Sequence, residues 1–144
     1  MPFTYDYPRP ALTVDAVVFR KADEFEVLLI QRKHYPFEGM WALPGGFVEM
    51  EETVEEAVVR ELEEETCLEL RMDQLKQLHT FSALGRDPRG RTVSVTFFGK
   101  IDYQKSEVRG GDDASDAKWF KMSTIPELAF DHIEAINMAL DRIR

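Results

Sequence analysis

Residues 46 to 68, Gly46-Phe-Val-Glu-Met-Glu-Glu-Thr-Val-Glu-Glu-Ala-Val-Val-Arg-Glu-Leu-Glu-Glu-Glu-Thr-Cys-Leu68, hold the densest information in the chain. Thr53-Val-Glu-Glu56 is a capping-box sequence, which fixes a helix start. From that start, Val54 and Val58 begin an apolar stripe. On a helix of roughly 100° per residue, Glu61 and Glu65 point almost the same way as those valines. Glu61, Glu64 and Glu65 are related as i, i+3 and i+4, so they share one face. Three carboxylates on one face repel unless positive charge stands among them. A merely solvated acidic run belongs opposite an apolar stripe, not in continuation of it. A divalent cation is therefore the expected companion. Just before the helix, Gly45-Gly46 lets backbone approach a ligand closely, with carbonyls free to join carboxylates around a hard cation.

Working outward, Leu12 to Arg20 and Glu26 to Gln31 are aliphatic runs joined by a polar segment, and they read as paired strands. Residues 75 to 82 and Thr92 to Phe98 read as further strands, with Gly85 to Gly90 a turn between them. Lys118 to Met122 makes a shorter strand. Asp131 is placed to cap a last helix in which Ile133, Ile136, Leu140 and Ile143 recur at helical spacing. The expected fold is α/β, a mixed sheet with one helix on each face.

Size and charge agree with a single compact domain over residues 1–144. The chain has 144 residues, 44% of them hydrophobic, enough for one substantial core. Eighteen basic residues against 27 acidic ones give a net charge of −9, which argues against nucleic acid or anionic membrane as a partner. The N-terminal residues lack the pattern of a signal peptide, and no apolar run approaches bilayer length. A cytoplasmic location is the expectation. The lone cysteine, Cys67, has no second cysteine with which to form an intramolecular disulfide.

The acidic stretch resembles the signature of the Nudix hydrolase superfamily, G-x5-E-x7-R-E-U-x-E-E-x-G-U with U a bulky aliphatic residue. Gly46, Glu52, Arg60, Glu61, Leu62, Glu64, Glu65 and Leu68 match it in place. Cys67 stands where the pattern has glycine. A glycine there suits a helix end of positive φ, and a non-glycine residue costs on the order of 1 kcal/mol unless the helix ends by another turn. The resemblance implies an α/β/α sandwich and hydrolysis of a nucleoside diphosphate linked to another moiety, with Mg²⁺ or Mn²⁺. It assigns metal binding to Glu61, Glu64 and Glu65, with the Gly45 carbonyl as a further ligand. Arg60 supports the site with Glu52 as its partner. The general base comes from the helix or from an acid in the loop before the last strand, where Asp113 is the first choice. The competing reading of Asp113 is an ordinary turn aspartate beside Gly110 and Gly111.

Segments outside the signature resemble one Nudix branch, that of ADP-ribose pyrophosphatases, bifunctional NAD-synthesis enzymes and regulators of NAD metabolism. They include Tyr7 to Pro10, Tyr35 to Phe47, Gly85 to Arg91 and Leu128 to His132. The resemblance implies a small-molecule nucleotide substrate, first ADP-ribose, and a homodimer. Arg32, Arg86, Arg89 and Arg91 are candidate phosphate or ribose contacts, with a solvated role standing beside each. Phe37, Trp41, Phe81, Tyr5 and Tyr7 are candidates to stack on adenine, with core packing favoured for Phe81 and Trp41. His34, His79 and His132 show no metal-ligand spacing and read as surface or packing residues. Two other functions stay open: a Nudix enzyme for a damaged nucleotide or a dinucleotide, and a non-catalytic ADP-ribose sensor. The sensors of this branch usually carry a following DNA-binding domain and tend to lose signature acids, whereas all three glutamates are kept here.

Overall fold

Seven strands and two α-helices make up the computed structural model, which describes residues 2–111 and 114–144. β1 (Ala11–Lys21) and β2 (Phe25–Arg32) are rich in Val, Leu and Ile and are buried along most of their length. Such continuous apolar runs mark strands covered on both faces. β5 (Lys76–Phe81), β6 (Thr92–Lys100) and β7 (Ala114–Lys121) complete the large strands, while β3 (Trp41–Ala42) and β4 (Gly45–Phe47) are short. α1 (Val54–Thr66) and α2 (His132–Ile143) are the helices. Among the described residues, no helix is long and apolar enough to cross a membrane.

β6 runs parallel to β1 from Ala11 to Phe19 and so takes one whole edge of it. The other edge of β1 is shared: β4 pairs at Thr13 to Asp15 and β2 at Phe19 to Lys21. β2 is divided in the same way. β7 follows one edge of it, whereas β1 and β3 share the other. The two central strands therefore part like a fork, and residues 41 to 47 fill the gap. Alternation along β1 does the rest. Val14, Ala16 and Val18 join the core beneath α1 with Val58 and Leu62. Val17 and Phe19 join the core beneath α2 with Ile136 and Leu140. The arrangement is the α/β/α sandwich expected from the strand and helix pattern.

Three details differ from the sequence reading. β7 starts at Ala114, because pairing with β2 carries it well upstream of Lys118. β3 and β4 were not read as strands; they are too short for periodicity and exist by pairing inside the fork. Asp131 precedes α2 without giving it a side-chain cap, because its carboxylate is engaged by Arg86.

α1 begins and ends with clear physical causes. Thr53 Oγ1 accepts from the Glu56 amide and Glu56 Oε1 accepts from the Thr53 amide, closing the capping box. At the other end Cys67 takes φ 62° and ψ 12°, the left-handed cap in which its amide donates to the Glu63 carbonyl. The amides of Arg109 and Gly111 then satisfy the carbonyls of Thr66 and Glu65. Cys67 thus occupies the conformation that favours glycine. Replacing Cys67 by Gly is expected to raise the unfolding free energy by up to about 1 kcal/mol, read from the urea midpoint. A lower midpoint for the glycine variant contradicts this account of the helix end.

Candidate functional site

Arg60 organises the acids at the open end of the fork. Its Nε and Nη2 donate to the two oxygens of Glu52 at 3.0 and 2.6 Å. Nη1 donates to Glu61 at 2.9 Å and to Glu64 at 3.2 Å, and Nη2 reaches the Phe47 carbonyl at 3.1 Å. The forked geometry is one that guanidinium forms with carboxylate and ammonium does not. The hydrogen bonds from Arg60 hold Glu52 below the ordinary carboxylate range and raise Arg60 itself. Burial pushes Glu61 up to about 7, with Arg60 opposing the shift and Glu64 adding to it. The site holds more negative charge than one guanidinium compensates.

Glu65 faces the glycine turn, and its Oε1 accepts from the Gly45 amide at 2.8 Å. The resemblance assigns the Gly45 carbonyl to a metal; what the structure places against Glu65 is the Gly45 N–H. The two glycines make room in opposite directions. A Cβ on Gly46 would strike the Glu61 carboxylate, and one on Gly45 would strike the Asp15 carboxylate and the Val14 carbonyl. Among the described residues, no three acidic, histidine or cysteine side chains converge as a ready-made cation cage. Arg60 stands between Glu61 and Glu64, and Glu65 is held by Gly45. The donor set still suits a hard divalent ion: three carboxylates on one helix face, next to the backbone of a glycine turn.

Glu61, Glu64, Glu65, Arg60 and the glycine turn line one groove of about 460 Å³, with Arg32 and Arg89 on its far side. Arg32 donates to the Pro36 carbonyl at 2.6 Å and lies over the Phe130 ring. Burial, and then the like charge of Arg89, lower its pKa. Arg89 is braced by Asp87 at 2.8 Å and lies over Phe47. Behind the turn the groove continues into a smaller recess of about 70 Å³, lined in part by Asp15, Arg86, Ser94 and His132. Arg86 is a wall of that recess rather than a free cation. It binds both oxygens of Asp131 at 2.9 and 2.7 Å and the Ser94 hydroxyl at 2.7 Å.

Arg91 and Phe37 lie away from the groove lining: Arg91 is anchored to the Ser82 carbonyl at 2.6 Å, and the Phe37 ring packs edge-on against Phe130. Asp113 lies outside the described residues. Trp41 and Phe81 belong to the core beneath α2. The sequence reading did not single out Asp15, and it treated His132 as a surface or packing residue. Both are buried and line the recess. The available signal was an acid in the middle of the apolar run Leu12 to Phe19, since a buried carboxylate is costly without a purpose or a partner.

The His132 Nδ1 accepts from the Leu43 amide at 3.0 Å, so the neutral ring carries its proton on Nε2. Burial lowers the His132 pKa to about 3, against an unfolded value of about 6.5. Between those values the unfolded chain takes a proton that the folded one refuses, so stability falls as pH drops below about 6.5. The unfolding free energy of the wild type minus that of His132→Gln should therefore decline from pH 6.5 toward 3, by up to about 1.4 kcal/mol per pH unit. Burial raises Asp15 to about 7. Its slope has the opposite sign, so the two proteins are compared in an Asp15→Asn background, where that slope is absent. Urea titrations across that range give the comparison, and a flat difference means His132 is not held neutral.

Comparison with known proteins adds to this geometry. An ADP-ribose pyrophosphatase of Methanocaldococcus jannaschii is 46% identical over 130 residues, covering 90% of this chain and 73% of the relative. An ADPR-responsive transcriptional repressor, NtrR of Acinetobacter baylyi, is 34% identical over 143 residues, covering 96% of this chain and 56% of the relative. Among solved structures, the NUDIX domain of Shewanella oneidensis NrtR complexed with ADP ribose superimposes with a TM-score of 0.87. It is 36% identical and covers 97% of this chain and 94% of that one. Residues 9–139 match the NUDIX domain family, to which this chain belongs.

Proposed function

We propose that the protein is a metal-dependent Nudix pyrophosphohydrolase that cleaves ADP-ribose to AMP and ribose 5-phosphate. The observation that carries this reading is the 46% identity to an ADP-ribose pyrophosphatase over 130 residues. The site supports it chemically. A diphosphate needs a patch that tolerates its charge, a proton acceptor for water and fixed donors for its oxygens. Glu61, Glu64, Glu65 and the Gly45 carbonyl would hold Mg²⁺ or Mn²⁺, which supplies charge neutralisation of the diphosphate and a more acidic water. Arg60 keeps Glu52, Glu61 and Glu64 in register, a positioning role. Arg32 and Arg89 face the phosphates across the groove. Glu64, whose side chain is 41% exposed there, and Asp113 are the two candidates to take the proton from water as the P–O bond breaks. A homodimer and a cytoplasmic location belong to the same reading; the lone exposed Cys67 suits a reducing compartment.

The test is turnover of a panel comprising ADP-ribose, NADH, diadenosine polyphosphates, 8-oxo-dGTP and sugar nucleotides, with Mg²⁺ and with Mn²⁺. AMP released preferentially from ADP-ribose is expected. Glu64→Gln should lower kcat by about 100-fold or more. Gly46→Ala, which drives a methyl group into the Glu61 carboxylate, should also cost about 100-fold through misplacement, while the circular dichroism melt shifts little. Turnover of another panel member would move the substrate. Tight ADP-ribose binding without turnover would instead make the protein a sensor, the reading that the repressor relative favours.

A further inference from the structure

The last turn of α1 is an unfavourable place for acids. A helix leaves its final carbonyls without intrahelical partners, and that end carries partial negative charge. The turn nevertheless holds Glu63, Glu64 and Glu65 and has no basic residue. Two of these acids belong to the face on which the hydrolase reading depends. Something outside the helix has to fix and compensate this end.

The chain after β6 does so with its backbone. The Arg109 amide donates to the Thr66 carbonyl at 3.0 Å, and the Gly111 amide donates to the Glu65 carbonyl at 2.9 Å. Both N–H groups bring the positive end of a peptide dipole to a helix end that is negative. This segment is itself fastened to the sheet. Ser106 is buried; its hydroxyl accepts from Arg20 of β1 at 2.9 Å and its carbonyl from Trp119 of β7 at 2.7 Å. Val108 packs against the core beneath α1. The segment is a brace that runs from the sheet to the end of the helix.

Gly110 and Gly111 are where the brace is thinnest. A Cβ on Gly110 would lie 3.1 Å from the Asp116 Cα, a tight contact that a small shift relieves. A Cβ on Gly111 would lie 1.7 Å from the Glu64 carbonyl oxygen and 2.8 Å from the carbonyl carbon. Here the obstacle is backbone, so no change of rotamer relieves it. Either the segment lifts off or the last turn moves. Gly111 is not among the residues of positive φ, so close approach is the reason a glycine is needed.

We propose that Gly111 is a positioning residue for the hydrolysis. It lets the brace lie directly on the backbone of Glu64 and Glu65, which sets the last turn of α1 and the direction of both carboxylates. Glu65 has a second tether in the Gly45 amide, whereas the Glu64 side chain is 41% exposed, so Glu64 depends more on the brace. The consequence for turnover rests on the hydrolase reading; the contact itself does not.

Gly111→Ala tests the role, with Ile136→Val for comparison. Ile136 lies in the core beneath α2, so its truncation lowers stability without reaching α1. Calorimetry with Mn²⁺ and no substrate should show Gly111→Ala binding roughly 10–100-fold more weakly than the wild type. At saturating Mn²⁺ its kcat should fall by at least about tenfold, with KM for ADP-ribose within about threefold. Ile136→Val should stay within about twofold of the wild type in Mn²⁺ affinity and kcat, since a core methyl on the far face does not move the acids. In the wild type, NMR hydrogen exchange should find the Gly111 amide protected. An unprotected Gly111 amide overturns the role, and so do unchanged Mn²⁺ affinity and kcat in Gly111→Ala. Equal losses in Ile136→Val overturn it as well, because the effect is then one of stability. Should Gly111→Ala fail to fold, Ser106→Ala, which frees the brace from Arg20, replaces it. A loss of about fivefold in Mn²⁺ affinity is then expected, and no loss overturns the role. A wild type that leaves ADP-ribose intact but binds Mn²⁺ more tightly than Gly111→Ala would remove the substrate reading and leave the positioning role standing. A wild type that binds no Mn²⁺ overturns both.

Discussion

One guanidinium among several carboxylates is the constraint on which the site depends. Arg60 lies within reach of Glu49, Glu52, Glu61 and Glu64, and it is only partly exposed. Partly buried ion pairs return much of their Coulombic gain as the cost of desolvation, so this cluster is a poor device for stability. Its effect is positional. A helix face with acids at i, i+3 and i+4 tends to splay its side chains, and the forked grip on Glu52 gives Arg60 a fixed station from which to gather two of them. Because Nη2 also reaches the Phe47 carbonyl, the same residue ties α1 to the end of β4. Helix and glycine turn are thereby set as one unit.

That unit exists only because the sheet opens. β1 and β2 pair over three residues at one end and then separate, and the chain between them threads the opening as β3 and β4. Consecutive residues of a strand face opposite sides of the sheet. Gly46 therefore borders Glu61 on the α1 side while Gly45 borders Asp15 on the α2 side. Neither position has space for a methyl group, and the reason is different at each. At Gly46 the obstacle is a movable side chain, while at Gly45 it includes the backbone carbonyl of Val14.

How legible this was in the chain follows from what each feature depends on. The start of α1 was written locally, in four residues whose hydrogen bonds close on themselves. The grouping of Glu61, Glu64 and Glu65 was likewise a matter of helical spacing. The αL end at Cys67 was one of two possibilities, since a cysteine does not announce positive φ as glycine does. The recess was not legible beyond one odd aspartate. Asp15 and His132 are 117 positions apart, and their meeting depends on β1 lying beneath the first turn of α2. Asp131 looked like a cap because capping is a local rule, and a distant arginine outcompeted that rule. The basic turn showed its charge but not its division of labour: Arg86 walls the recess, Arg89 faces the groove and Arg91 is turned to the loop.

The parted strands also bear on how such a protein changes over generations. The acids that Arg60 holds sit on α1 and just before it, whereas the recess, which meets α1 at Glu65, takes Thr13, Ser94 and His132 from β1, β6 and the head of α2. Substitutions at Thr13, Ser94 or His132 reshape the recess without touching any side chain that Arg60 holds. A lineage can thus try new preferences on one side of the sheet while the machinery on the other is inherited intact. The opening between β1 and β2 makes the two halves separately mutable except where they meet, at Glu65 and the glycine turn.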